Sequence, residues 1–421
     1  MDQGNRRLNR RTLKYFVPMV PAVILIAATI NTTISCNTSG LPNLVTGSAT
    51  SSSTTVVSGS PTLTPTATAT GAAGAGSVAF VSNFGAGTVA SFTRNTLTGA
   101  LTRTVTIAAG AKGGPKGLAL GSGGKSLYVA NHADGNIYEY SVNKSSGVLT
   151  PLSSASVNNG SGSGADEVAI NPAGTFLFVT GFKKGTVTSY SINNSNGQLT
   201  QVTDKVTGMV SPLGIAVDSS GKFVFVTDQA AGLVFSYKIN GDGTLTEISS
   251  VDDLFGGGGQ PGFITIDPSG AFIYVTDLVA GQLAVLGVSA NGKLAFARNA
   301  PNTTGAEVPI GSGYSTVSSN NFIFAANKGT SSMWSFQITS PGNPSPPIEF
   351  GTSAGDVNQP TGVAVDPQNE FLYTTNQNAG TVSQFSLNPS CSGAPGPPCF
   401  VSTVSTGGGS TGAPFNIILS Q

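Results

Sequence analysis

A short phrase of apolar and small residues, with the pattern of a β-strand, recurs along residues 77–421. Its seven copies end at Asn83, Asn131, Gly181, Asp228, Asp277, Asn327 and Asn376. Successive copies are 48, 50, 47, 49, 50 and 49 residues apart, and a large apolar or aromatic residue stands nine residues after each copy. A period this regular indicates a repeat architecture in which each unit packs against its neighbours. We expect the residue nine positions on to belong to the core between units.

Each unit contains four segments with the pattern of short strands. In the fourth unit these segments are 214–217, 223–227, 233–239 and 244–249, and turn residues separate them. Short strands about ten residues apart, repeated in every unit, are typical of a β-propeller. The sequence therefore predicts an all-β fold, a seven-bladed β-propeller with four-stranded antiparallel blades.

The two ends of the repeat region predict how the ring closes. The first unit begins at its second strand, near Val78, and lacks the strand that should precede it. Residues 414–419, Pro-Phe-Asn-Ile-Ile-Leu, align with residues 212–217, Pro-Leu-Gly-Ile-Ala-Val. We expect this C-terminal strand to complete the first blade, because the ring then has no open strand edge.

The region before the repeats has the composition of an export segment. Five basic residues between Arg6 and Lys14 precede the apolar stretch 15–30, and Cys36 follows. A basic region followed by an apolar one is typical of a secretory signal. The stretch is shorter than the ~20 residues that span a bilayer. Residues 1–36 resemble a bacterial lipoprotein signal with Cys36 as the lipidated residue; an uncleaved anchor and simple secretion are the alternatives.

Residues 37–76 carry no charge and consist mostly of Ser, Thr, Ala, Gly and Pro. Such a segment cannot bury enough apolar surface to offset its ordering entropy, so we expect a disordered tether. Residues 77–421 then form the propeller, an extracytoplasmic head held at the bacterial cell envelope by lipid. An exported protein is in an oxidising compartment, so we expect a disulfide between Cys391 and Cys399. Two free thiols are the alternative.

Composition narrows the classes of function. Charged residues make up 9% of the chain, which has 19 basic residues, 19 acidic residues and one histidine. A surface with so little charge excludes a nucleic-acid partner, and a single histidine excludes a multi-histidine metal site. We therefore expect no metal, no cofactor and a monomeric head.

At its repeat phrases the chain resembles the seven-bladed lactonase family, which includes propeller-type 6-phosphogluconolactonases, carboxymuconate cyclases and YVTN-repeat proteins. The stretch 114–117, Gly-Pro-Lys-Gly, is similar to the family's Gly-Pro-Arg-His at the start of an innermost strand. Gly117 stands where that motif has its histidine. The stretch 165–168, Ala-Asp-Glu-Val, is similar to an acidic stretch of the family. The resemblance implies hydrolysis of a lactone.

If the first strand of each unit lines the axis, its starting loop shares one face with the turn between the second and third strands. We expect a polar cluster on that face, made of Lys116, His132, Asp166, Glu167, Lys183, Lys184, Asp228, Asp277 and Lys328. Glu167 and His132 are the candidate catalytic residues. The candidate ligand-binding residues are Lys116, Asp166, Lys183, Asp228 and Asp277. The alternative is that all of them are solvated loop residues.

Lys116 and Glu167 form the best-placed polar pair of this cluster on sequence grounds. In our alignment Glu167 occupies a position that is glycine in four sister units, namely Gly117, Gly214, Gly313 and Gly362. Two functions follow. The first is a tethered propeller that binds a small molecule, a glycan or a protein on its axial face. The second is an exported lactonase that hydrolyses a sugar lactone or an aromatic-acid lactone.

Overall fold

The computed structural model describes residues 77–110, 113–202, 205–252, 254–255, 258–279, 281–300, 313–319, 321–388 and 397–420. The predicted export segment and tether lie outside these residues, and so does the boundary at 76. No helix within the described ranges is both long enough and apolar enough to cross a membrane. Two short 3₁₀ turns occur there, at Ser122–Gly124 and Ser410–Gly412.

The described strands form seven antiparallel sheets, which are the blades, in agreement with the predicted propeller. Blade 1 contains β1 (Val78–Asn83), β2 (Thr88–Arg94) and β3 (Leu101–Ala108), and blade 2 contains β4 (Pro115–Leu120), β5 (Ser126–Asn131), β6 (Asn136–Val142) and β7 (Leu149–Asn158). Blade 3 contains β8 (Ala165–Ile170), β9 (Phe176–Gly181), β10 (Thr186–Ile192) and β11 (Leu199–Gln201). Blade 4 contains β12 (Pro212–Val217), β13 (Phe223–Asp228), β14 (Leu233–Ile239) and β15 (Leu245–Val251). Blade 5 contains β16 (Pro261–Ile266), β17 (Phe272–Asp277), β18 (Leu283–Val288) and β19 (Leu294–Asn299). Blade 6 contains β20 (Gly313–Ser319), β21 (Phe322–Asn327), β22 (Ser332–Ser340), β23 (Asn343–Pro344) and β24 (Ile348–Phe350). Blade 7 contains β25 (Pro360–Val365), β26 (Phe371–Asn376), β27 (Thr381–Ser386) and β28 (Cys399–Ser405). The last strand is β29 (Pro414–Leu419).

The ring closes as predicted. Strand β29 pairs antiparallel with β1, so that Ala79 lies opposite Leu419 and Val81 lies opposite Ile417. Blade 1 therefore has the order β29-β1-β2-β3. The innermost strands contact one another around the axis in the order β29, β4, β8, β12, β16, β20 and β25, and β25 contacts β29 again. No inner strand is left without a neighbour.

Blade 6 departs from the four-strand pattern at its outer edge. There the fourth strand is divided into β23 and β24, which both pair with β22. Prolines at 344, 346 and 347 explain the division, because proline supplies no backbone N–H to a strand ladder.

The apolar core lies between the blades. The residues nine positions after the repeat markers are buried there, as predicted: Phe92, Tyr140, Tyr190, Tyr237, Leu286, Phe336 and Phe385. Each belongs to a cluster of buried side chains drawn from neighbouring sheets. Burial of such large side chains is the main source of stability in the ring.

A shift in register marks the start of every inner strand. In blade 3, for example, Ala165 pairs with Gly181, whereas the next paired residue is Val168, opposite Val179. The other inner strands show the same irregularity. The second and third residues of each inner strand are thus left outside the regular ladder, at the axial end of the blade.

Backbone hydrogen bonds join the two loops that the sequence placed on one face. The residue after a repeat marker donates its N–H to the carbonyl just before an inner strand. His132 donates to Gly114 O at 2.6 Å, and Phe182 donates to Gly164 O at 3.0 Å. This confirms that the loops share a face, which we call the axial mouth.

Candidate functional site

One buried carboxylate oxygen joins blades 2 and 3 at the axial mouth. Lys116 Nζ donates to Asp166 Oδ2 over 2.9 Å, and His132 Nδ1 lies 2.8 Å from the same oxygen. The side chain of Asp166 is fully buried, whereas those of Lys116 and His132 are each 16% exposed. The two basic side chains are therefore partly open to the mouth, and both contact the same buried carboxylate oxygen.

The electrostatics keep Asp166 ionised. Its burial alone would raise the pKa of the carboxyl, but the Lys116 ammonium and the His132 hydrogen bond outweigh burial and hold the pKa below its usual range. With the ionised Asp166 as acceptor, His132 donates the Nδ1 proton, and Nε2 is the other ring nitrogen. The imidazole also packs at 5.9 Å against the ring of Phe182.

Lys116 also lies against aromatic rings. Its ammonium is 5.2 Å from the ring centre of Phe415, 5.6 Å from that of Phe84 and 6.0 Å from that of Phe182. Phe415 belongs to an apolar cluster with Leu213 and Phe263, on the inner strands of blades 4 and 5. The mouth thus has a cationic side at blades 2 and 3 and an apolar side that faces it.

Glu167 supplies a second, different carboxyl. It is 7% exposed; its Oε2 accepts a hydrogen bond from Asn416 Nδ2 at 3.3 Å, and its Oε1 has no hydrogen-bond partner among the described residues. Burial and the neighbouring Asp166 charge raise the pKa of Glu167 to about 8. At neutral pH Glu167 therefore holds a proton that it can donate, whereas Asp166 does not.

A glycine in blade 2 makes room for this contact across the axis. Glu167 is in blade 3 and Asn416 is in blade 1, so the inner strand of blade 2 lies between them at Gly117. A Cβ atom added at Gly117 would lie 2.6 Å from the carbonyl oxygen of Asp166 and 2.8 Å from Glu167 Cα. Only glycine allows the inner strands to approach this closely.

Lys116 forms its ion pair with Asp166, one residue before Glu167. The alignment of Glu167 with Gly313 is corrected. Gly313 pairs with Asn327 just as Pro115 pairs with Asn131, so Gly313 matches the first position of the inner strand and not the third. Three of the glycines, Gly117, Gly214 and Gly362, do occupy the position of Glu167.

The remaining candidate residues have other surroundings. Asp228 accepts the backbone N–H groups of Val210 and Ser211, at 2.6 and 2.9 Å, and Asp277 accepts that of Gln260 at 3.0 Å. Both carboxylates thus hold the loop before their own inner strand. Their role in ligand binding stays a prediction, and none of these contacts joins them to Asp166.

The lysines on the rim lie outside the ion pair. Lys183 is exposed, and its ammonium donates to the carbonyl of His132 at 3.4 Å. Lys184 is exposed beside it on the same turn, and Lys328 is half-buried in blade 6. Lys183 therefore extends the cationic side of the mouth, next to His132.

No group of three or more metal-ligating side chains is found in the part of the chain that the structure describes. Cys399 is disulfide-bonded. Its predicted partner Cys391 and the predicted lipidation site Cys36 lie outside the described residues.

Sequence reasoning missed the aromatic residues around Lys116 and the partner of Glu167. Phe84 and Phe182 each follow a repeat marker directly, in the position that His132 occupies in blade 2. Phe415 and Asn416 are the second and third residues of β29, in the positions of Asp166 and Glu167 in β8. Reading these positions across all the units would have identified the lining of the mouth.

Comparison with known proteins agrees with this fold. The family model described as Lactonase, 7-bladed beta-propeller, matches residues 48–162, 74–254 and 311–395. These ranges cover more than half of the chain, which therefore belongs to this lactonase family. No curated protein matches the sequence.

Solved structures show the same fold at low sequence identity. A Bacteroides fragilis protein described as a candidate 6-phosphogluconolactonase is 14% identical, with a TM-score of 0.68 over 83% of this chain and 99% of that one. The periplasmic gluconolactonase of Pseudomonas aeruginosa is 17% identical, with a TM-score of 0.64 over 82% of this chain and 99% of that one. At these identities the likeness concerns the fold alone.

Proposed function

We propose that this propeller hydrolyses a lactone at its axial mouth. Membership of the lactonase family supports a lactone as substrate. The observation that carries the proposal is the shared hydrogen bonding of Lys116 and His132 to Asp166 Oδ2, next to a protonated Glu167. An oriented imidazole, a cation and a neutral carboxyl can serve in ester hydrolysis as general base, stabiliser of the developing negative charge and general acid.

The reaction assigns one role to each group. His132 Nε2 takes a proton from water as the water oxygen bonds to the lactone carbonyl carbon, and Lys116 attracts the negative charge that develops. The bond between the carbonyl carbon and the ring oxygen then breaks. The ring oxygen takes the proton of Glu167, and His132 returns its proton to Glu167. The product is a hydroxy acid, and Asp166 orients His132 throughout.

The lining of the mouth favours an uncharged or singly charged lactone. Lys116 already shares its charge with Asp166, and its other neighbours are aromatic rings. A sugar lactone without phosphate, or an aromatic-acid lactone, fits such a surface. The predicted export segment supports the same choice, because 6-phosphogluconolactone is a cytoplasmic metabolite.

The amino-terminal sequence supports a location outside the cytoplasm. A basic region, an apolar stretch and Cys36 together favour a head tethered to the cell envelope by lipid, through residues 37–76. Secretion without lipid and an uncleaved anchor are the alternatives. This location would expose the mouth to extracellular or periplasmic lactones.

A second candidate is a propeller that binds its ligand without turnover. The observation that favours it is Gly117, which stands where the family motif has a histidine. On this view Lys116 and Lys183 recognise an anionic small molecule, a glycan or a protein segment, and Asp166 only fixes the cations.

The test is a panel of sugar and aromatic-acid lactones, assayed with the full-length protein and two variants. We expect Glu167→Gln and His132→Gln to lower kcat/KM by about 10²–10⁴-fold, the range for loss of a general acid or base. Glu247→Gln is the matched control, because Glu247 is exposed on the outer strand β15 and remote from the mouth.

The pH profile gives a second readout. Turnover should fall as the pH rises through about 8, because Glu167 then loses the proton that it must donate. Full activity of Glu167→Gln on a lactone that the wild type hydrolyses would refute the mechanism. Saturable binding of a lactone without turnover would favour the second candidate instead.

A further inference from the structure

A recurring aromatic contact joins neighbouring blades at the face opposite the mouth. The first residue of the second strand is phenylalanine in five blades: Phe176, Phe223, Phe272, Phe322 and Phe371. For Phe176, Phe223, Phe272 and Phe371 the ring packs beneath the hairpin between the third and fourth strands of the next blade. A Cβ atom added to the hairpin glycine Gly292 would lie 2.5 Å from the ring of Phe223, and one added to Gly99 would lie 2.5 Å from that of Phe371.

Blade 2 lacks this ring, as does blade 1, whose second strand begins with Val78. The second strand of blade 2 begins with Ser126, although the hairpin of blade 3 keeps the glycine, Gly197, with a φ of 78°. Tyr128 still holds that hairpin in place, because its hydroxyl donates to Gly197 O at 2.7 Å. Ser126 lies directly beneath this glycine, because a Cβ atom added to Gly197 would lie 3.3 Å from Ser126 Cβ and from Leu152 Cδ1. Ser126 lacks the ring atoms that extend further in the sister blades.

A cleft opens at this point between blades 2 and 3. It has a volume of about 230 Å³ and is lined in part by Ser126, Tyr128, Ile192 and Gly197. This is below the ~300–1,000 Å³ of pockets for drug-sized ligands, so the cleft suits a ligand no larger than a single ring. The opposite walls carry Ser122 and Lys125, on the turn between β4 and β5. Lys125 is exposed, and it forms no ion pair with any of the described residues.

We infer that this cleft binds a small aromatic carboxylate. The ring would occupy the space that phenylalanine fills in the sister blades, between Tyr128 and Ile192. The carboxylate would face the Lys125 ammonium and the hydroxyls of Ser122 and Ser126. The site lies at the end of the blades opposite to Lys116 and His132, so it is separate from the proposed lactone site.

Benzoate is the probe that tests this inference, added to the full-length protein and followed by calorimetry and by saturation-transfer NMR. We expect saturable binding to the wild type. Lys125→Gln should weaken that binding by about tenfold, the value of one charge-assisted hydrogen bond. Cyclohexanol, a ring without charge or aromaticity, should bind more weakly than benzoate.

Ser126→Phe restores the arrangement of the sister blades. It should abolish benzoate binding and raise Tm, because the ring fills the cleft from within. Lys222→Gln, on the corresponding turn of blade 4, is the matched control and should leave benzoate binding unchanged. If Ser126→Phe does not fold, the loss in Lys125→Gln alone decides the question. Absence of saturable binding to the wild type, or equal affinity in Lys125→Gln, would overturn the inference.

Discussion

Replacing Glu139 with glutamine should stabilise the protein, and the gain should grow as the pH rises from 5 to 8. Glu139 is on β6 and fully buried between blades 2 and 3. Its Oε1 accepts the N–H of Leu199 at 2.7 Å, while its Oε2 has no partner among the described residues. Burial raises the pKa of this carboxyl to about 7. Glu139 thus has to lose a proton inside the ring near neutral pH.

The size of the effect follows from the difference between the folded and unfolded pKa. The ordinary value for glutamate is 4.5, and each pKa unit corresponds to about 1.4 kcal/mol. The folded state therefore holds the proton more tightly than the unfolded state does. The stability that this gives is fully present below pH 4.5 and is lost as the pH rises through about 7. The loss amounts to about 3 kcal/mol, which glutamine avoids. Tyr128 and Tyr190 face Glu139, and burial raises the pKa of both, so neither titrates in this range.

Blade 7 shows that glutamine suits this position. Gln384 lies opposite Tyr373 as Glu139 lies opposite Tyr128. Its Nε2 donates to the carbonyl of Thr98, in the hairpin of blade 1, at 2.7 Å. An amide at position 139 can reach the hairpin of blade 3 in the same way.

Denaturant unfolding at pH 5, 6, 7 and 8 would measure the gain as a difference between Glu139→Gln and wild type. For a ring of this size 3 kcal/mol corresponds to about 4 °C in Tm. The reverse exchange in blade 7, Gln384→Glu, is the matched control. It should lower the free energy of unfolding, and the decrease should grow as the pH rises. A stability difference that stays constant from pH 5 to 8 would refute the reasoning.

Further predictions concern the closure and the cysteines. Deleting residues 414–421 should lower Tm sharply or cause aggregation, because β1 would lose one of its two partner strands and expose the ladder groups on that edge. An unchanged Tm would contradict closure by β29. Intact-mass measurement of the membrane-extracted protein should show a diacylglycerol adduct at Cys36, and a mature chain that starts elsewhere would contradict it. Alkylation without reductant should label neither Cys391 nor Cys399, and two labelled thiols would disprove that pairing.

The number of blades and the closure were predictable because both depend on alternating patterns that recur at a fixed period. The predicted ends of the strands also agree with the structure to within one residue in the fourth blade. Its second and third strands were predicted at 223–227 and 233–239, and the structure has them at Phe223–Asp228 and Leu233–Ile239. A strand in a regular ladder alternates its faces, so the sequence pattern reports its neighbours.

The pairing within the site was not predictable in this way. Asp166 and Glu167 fall in the register shift at the start of β8, where alternation no longer tells which side chain faces the axis. Lys116 therefore meets Asp166, whereas Glu167 reaches Asn416 in blade 1. The second contact joins residues 249 apart in sequence, and only the closed ring brings them together.

The pairing of β1 with β29 also determines when the molecule can finish folding. Six blades consist of strands that follow one another in the chain, so each can form soon after its own residues emerge. Blade 1 must wait, because its inner strand follows every other strand in sequence. Until β29 arrives, β1 offers an unpaired edge to any chain nearby. A protein that crosses a membrane as an unfolded chain would therefore complete its ring on the far side, and Asn416 would reach Glu167 at that last step.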